Sequence, residues 1–170
     1  KIRTDDIYDL RATLPASEVR SKVFNGFKKA CHTLYKFDSD TERRFAIVLE
    51  NDKAVLKWLR PSPKQFNIYY GPGGISRNEP DFVVETADRI YIIETKASNE
   101  IGSTEVKEKA RAAVVYCNAV TDWNSVNGGK PWRYALISHD EVRLNSSFMG
   151  LVSNQVSYKQ LEIEDMFTTK

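Results

Sequence analysis

The sequence predicts an α/β domain: a mixed central sheet of about four to five strands flanked by helices. Three observations carry that reading. The hydrophobic periodicity is helical up to about residue 60 and strand-like after it. Two apolar runs, "DFVVE" and "IYIIE", flank the polar turn "TADR" and place Phe82, Val84, Tyr91 and Ile93 on one face, Val83, Ile90 and Ile92 on the other. A sheet apolar on both faces has to be covered on both. A long amphipathic segment then precedes a further strand, "WRYALIS", so the order is helices, three strands, a helix and a strand.

Taken in order, residues 1–15 lack periodicity and read as a linker or arm, leaving 16–170 as the domain. Val19, Val23, Phe27, Ala30, Cys31 and Leu34 recur at helical spacing after Pro15, with Ser17 as a cap. A second helix is expected from about Thr41, with Phe45, Ala46 and Leu49 sharing a face, and a third over "KAVLKWL", stopped by Pro61 and Pro63. "QFNIYY" alternates as a strand does and "GPGGISRN" reads as a flexible loop. Beyond the hairpin, Ser103 or Thr104 caps a helix whose buried stripe is Val106, Ala110, Ala113, Val114 and Cys117. "SFMGLV" is a short helix or loop, and the last dozen residues are polar with scattered apolar positions.

Composition narrows the function classes. A chain of 170 residues with 41% hydrophobic and 28% charged residues is one globular domain. Apolar runs fall short of the roughly 18 residues of a membrane span, and the chain opens on Lys1, as a piece cut from a longer protein would. Cys31 and Cys117 lie far apart with no CxxC spacing, which predicts reduced core thiols in a cytoplasmic protein rather than a zinc site. The net charge of +2 is uninformative, but residues 1–64 carry 14 Lys and Arg against 9 acidic residues, a balance compatible with a phosphate-facing surface or with ordinary solvated helix faces.

The chemistry-bearing residues gather at one end of the hairpin. If "TADR" is a four-residue loop, Glu85 pairs with Ile90, Val83 with Ile92 and Asp81 with Glu94. Side chains alternate along a strand, so Asp81, Glu94 and Lys96 then share a face, the two carboxylates roughly 5 Å apart at Cβ. A three-residue loop would turn Glu94 away from Asp81. Facing carboxylates repel, and a shared proton, a basic side chain or a cation has to compensate. Lys96 supplies one positive charge. A hard divalent ion held by Asp81, Glu94, the main chain at Thr95 and waters would supply the rest, and with Mg²⁺ such a set suits phosphodiester hydrolysis. The alternative is a solvated hairpin end whose charges form a salt bridge.

Glu42 lies on the apolar side of its helix and offers a further ligand, yet "SDTE" also places Ser39 and Glu42 as a capping box. The pattern leaves both readings open, with Glu50 a weaker substitute one turn on. Lys109 is a candidate DNA contact, or a solvated partner of Glu105 at i−4. No GxxxxGK[ST] pattern occurs, so no ATP site is expected, and two histidines, His32 and His139, give a His-based mechanism little to work with.

"EPD" followed by "IIETKAS" resembles the PD-(D/E)xK nuclease superfamily, whose core is a mixed sheet flanked by helices. The wider run "YKFDSDTERRFAIVLENDKAVLKWLRP", "FNIYY", "EPDFVVE", "YIIETKA" and "VKEKARAAVVYCNAV" is similar to the C-terminal endonuclease domain of type III restriction enzyme Res subunits, over roughly Ala16 to Val152. The resemblance implies Mg²⁺-dependent cleavage of double-stranded DNA, Mn²⁺ substituting. Asp81 and Glu94 would be ligands, Lys96 the catalytic lysine and Glu42 the glutamate of the first core helix. It also implies an ATP-driven motor domain before the nuclease domain and a modification subunit that recognises the sequence. Ala112, four residues before Tyr116, departs from the glutamine of the RecB-like branch. The rival expectations are a nuclease domain of another helicase-linked repair or defence protein, and a nuclease-fold module that binds DNA or a partner without cutting.

Overall fold

The structure, a computed structural model, describes residues 6–153; the polar C-terminal dozen lies outside them. Its centre is a four-stranded mixed sheet. Strands β3 (Val55–Leu59), β6 (Phe82–Thr86) and β7 (Ile90–Lys96) run as an antiparallel meander. Helix α2 (Thr104–Asn127) then crosses over to β8 (Trp132–Ser138), which pairs with β7 in parallel. Two small ribbons flank this sheet: a parallel pair of β1 (Ile7–Asp9) with β2 (Val23–Asn25), and an antiparallel pair of β4 (Ile68–Tyr70) with β5 (Ser76–Asn78).

Both faces of the sheet are covered. On one side lie α1 (Asp40–Asn51) and the short α3 (Phe148–Leu151), where Phe45, Leu49, Trp58, Phe82, Ile93 and Phe148 pack together. On the other, Val106, Ala110, Ala113, Val114 and Cys117 of α2, the stripe expected from sequence, close over Ile92, Tyr134 and Leu136. Ser39 caps α1 by accepting from the Glu42 N–H at 3.2 Å, and Ser103 caps α2 by accepting from the Val106 N–H at 3.3 Å. α2 ends where Gly128 takes the left-handed conformation, φ 74°. Among the described residues no helix is long and apolar enough to cross a membrane.

Several expected elements differ. The helix expected over residues 17–34 is a 3₁₀ turn (Ala16–Ser21) followed by β2 and a loop. Gly26 explains the break: its φ is +85°, and a Cβ there would sit 2.4 Å from Asp9 Oδ2. "KAVLKWL" is not a helix but contains the edge strand β3. A bulge between Val55 and Lys57 leaves Val55 and Trp58 as its two buried residues. "GPGGISRN" is not simply a loop, since a 3₁₀ turn (Pro72–Gly74) and β5 lie within it. Residues 6–15, expected as part of an arm, are tied in as well: β1 pairs with β2, Leu10 is fully buried, and Arg43 Nη1 donates to the carbonyls of Leu10 and Ala12. Cys31 is exposed rather than a core thiol, whereas Cys117 is buried and its thiol is pushed up to about 12 by that burial.

Candidate active site

Register brings the hairpin charges together. Glu85 pairs with Ile90, Val83 with Ile92 and Phe82 with Ile93, so the four-residue connection holds and Asp81, one residue before β6, falls across from Glu94. At that point the ladder gives way to a side chain. Asp81 Oδ2 accepts from the Thr95 N–H at 2.8 Å and from Thr95 Oγ1 at 3.0 Å. Pro80, which has no N–H to offer the ladder, precedes it.

Glu94 is only 4% exposed. Burial, then the neighbouring Asp81 charge, pushes its carboxyl up to about 8, against the pull of the Asn78 hydrogen bond, Lys96 and Lys109. Asn78 Nδ2, buried at the end of β5, donates to Glu94 Oε1. Lys96 closes β7 and is half-buried opposite Ser138 of β8. Two residues on, Ser98 Oγ bonds Ser138 Oγ at 2.9 Å and Asp140, tying together the strand ends that carry Lys96.

Glu42 makes only half of the expected capping box. Its N–H goes to the Ser39 cap, but its carboxylate does not return to Ser39: Oε2 accepts from the Asp38 N–H at 2.8 Å and pairs with Arg60 Nη2 at 3.0 Å. Burial raises it to about 7, opposed by Arg60 and reinforced by Asp81. Asp81 therefore bears on Glu42 and Glu94 alike. Arg60, the residue after β3, also reaches Asp38 at 2.6 Å and lies over the rings of Phe37 and Phe82. Glu50 is not a spare ligand, because it accepts from the Lys28 and Lys29 N–H groups and from Trp58 Nε1. Lys109 pairs with Glu105 at 2.6 Å and lies over the Tyr70 ring, close enough for its charge to reach Glu94.

Sequence reasoning missed two residues. Arg60 falls between the third expected helix and Pro61, and Asn78 within the expected flexible loop. The alternation Ser76–Arg77–Asn78 just before Asp81 was the available signal for Asn78; no pattern singles out Arg60.

A cleft of about 620 Å³ opens beside Asp81, walled by His32, Tyr35, Lys36, Arg60 and Glu79. Among the described residues no group of three or more His, Cys, Asp or Glu side chains is arranged to hold a metal ion. The arrangement is narrower than a three-carboxylate set: a pair, Asp81 and Glu94, in which burial and then the Asp81 charge push Glu94 upward, with Glu42 paired to Arg60. A close carboxylate pair at a sheet end fits a hard divalent cation completing its coordination with water and substrate oxygens. Compared with known proteins, the chain matches no family model and no curated sequence.

Proposed function

We propose that this chain is the metal-dependent endonuclease domain of a type III restriction enzyme, hydrolysing phosphodiester bonds in double-stranded DNA. The observation that carries the proposal is the placement of Asp81 across from buried Glu94, with Lys96 two residues further along the same strand. The element order supports it: a helix, a three-stranded meander, a helix and a parallel fourth strand is the mixed sheet that a PD-(D/E)xK core requires.

On this reading Asp81 and Glu94 would hold Mg²⁺ or Mn²⁺, with the Thr95 main chain beside them. Bound there, the cation neutralises phosphate charge and supplies a water of lowered pKa. Thr95 fixes the Asp81 carboxylate through two hydrogen bonds, and Asn78 fixes that of Glu94, so neither has to reorganise when substrate arrives. The Lys96 ammonium orients the attacking water or stabilises charge on the pentavalent phosphorus. The water oxygen forms a bond to phosphorus and loses a proton to solvent, while the bond to the leaving sugar oxygen breaks and that oxygen takes a proton from solvent. Glu42, paired with Arg60, is the further acidic group that could add to this set directly or through a water. The motor domain, its ATP and the modification subunit belong to the full enzyme, working in the cytoplasm.

One observation favours a different reading. Because Glu42 is occupied by Arg60 and the ligand set stops at two carboxylates, a module that binds DNA without cutting is the competitor. Calorimetric titration of Mn²⁺ into the domain with a DNA duplex present, alongside nicking of supercoiled plasmid, separates them. Heat of binding and nicking, both lost in Asp81→Ala and nicking lost in Lys96→Ala, support the nuclease. Wild-type protein that takes up no Mn²⁺ with the duplex in the cell sinks it, and both variants nicking normally sinks the site assignment.

A further inference from the structure

The β4–β5 ribbon has two faces that differ in kind. Its inner face is anchored. Ile68 is buried against α2, Phe66 packs edge-on with Tyr116, and Tyr70 lies under Lys109. Asn78, paired with Ile68 across the ribbon, reaches Glu94. The base is closed where Lys64, in the left-handed region at φ 67°, gives its N–H to Glu79 at 2.7 Å. The outer face has no such work. Tyr69 is 58% exposed and pairs across the ribbon with exposed Arg77. The tip turns through Gly71, Gly73 and Gly74, all at positive φ, and ends in Ile75, 81% exposed. An isoleucine so exposed on a glycine-rich tip contributes nothing to the core, and an aromatic paired with an arginine on a two-stranded ribbon matches the size of a duplex groove and the charge of its backbone.

We propose that this ribbon is the element that engages duplex DNA, its Tyr69–Arg77 pair lying on the phosphate backbone and Ile75 meeting the groove. The inference rests on the nuclease reading and specifies how its substrate is held. Two residues, Glu79 and Pro80, separate the ribbon from Asp81, and Asn78 fixes it to Glu94. The ribbon, and any duplex on it, is thereby tied to the strand end that carries the carboxylate pair.

The test is fluorescence anisotropy of a labelled duplex of about 25 base pairs, with the full 170-residue chain, Ca²⁺ in place of Mg²⁺ and a salt series. The double variant Tyr69→Ala/Arg77→Ala is expected to weaken binding about tenfold or more and to lower the salt slope by about 1. Ile75→Ser is expected to weaken duplex binding by roughly tenfold with the salt slope unchanged. Lys53→Ala, an exposed charge past the far end of α1, is expected to bind as wild type. Thermal melting of each variant reports folding. Wild-type binding that survives the double variant, or that Lys53→Ala weakens equally, overturns the ribbon while leaving the nuclease reading intact. Tighter binding of the single strand than of the duplex also overturns it. Failure of the wild type to bind duplex overturns both.

Discussion

Asp81 holds Thr95 across the mouth of the hairpin: one carboxylate oxygen, Oδ2, takes both its N–H and its hydroxyl, at 2.8 and 3.0 Å. An acceptor oxygen is all these two bonds require, whereas relief of the charge on Glu94 requires a carboxylate to be replaced or neutralised. Asp81→Asn keeps the acceptor and removes the charge. Stability is expected within about 1 kcal/mol of wild type, with plasmid nicking reduced by at least about 100-fold. Urea denaturation and a nicking assay on the same preparation check it; an active Asn variant would remove Asp81 from the chemistry.

Glu94 makes the metal-free domain sensitive to alkali. Its carboxyl is pushed from 4.5 up to about 8. Between those values the folded chain keeps a proton that the unfolded chain has released, so stability falls as pH rises through this window. Glu94→Gln has no such proton to keep. In chelator-treated protein, the melting temperature of wild type relative to Glu94→Gln should drop between about pH 5.5 and about pH 8.5. A difference independent of pH contradicts the assignment.

Removing Arg60 strands Glu42. Arg60→Ala leaves a 7%-exposed carboxylate with the Asp38 N–H alone, a loss expected to cost about 3 kcal/mol near pH 8. Glu42 already rises to about 7 with Arg60 present. At about pH 5.5 it accepts a proton instead, and the cost should shrink. Adding Glu42→Gln to Arg60→Ala should recover part of the loss at the higher pH. Chemical denaturation at both pH values decides.

The N-terminal segment belongs to the fold on the strength of Leu10. That side chain is fully buried, so Leu10→Ala is expected to destabilise by about 3 kcal/mol, read as a lower urea midpoint at unchanged slope. A surface arm would show no change.

The hairpin and α2 were legible in the sequence because each carries one undisturbed period. Alternation fixed Glu85 opposite Ile90, and hence Asp81 opposite Glu94. The stripe from Val106 to Cys117 sits at helical spacing with a serine cap before it. β3 was illegible for a physical reason. Its bulge inserts Leu56 and Lys57 between the buried Val55 and Trp58, and that three-residue step is also the step of a helix face. Val19, Val23 and Phe27 likewise step by four through a turn, a strand and a loop, with Gly26 the overlooked warning. The pairing of Glu42 with Arg60 joins α1 to the end of β3, and no local pattern encodes so distant a contact.

Sheet margins decide how a β-protein meets its own kind. β3 is one margin here, and it is already occupied: Trp58 N–H goes to the Lys29 carbonyl and the Cys31 N–H to the Trp58 carbonyl, as the loop at Ala30 lies alongside. β8 forms the opposite margin of the same sheet. A stray strand from a neighbouring or partly unfolded chain therefore finds the β3 side closed at its centre. Among the described residues, growth of the sheet into a larger aggregate is left with the β8 side.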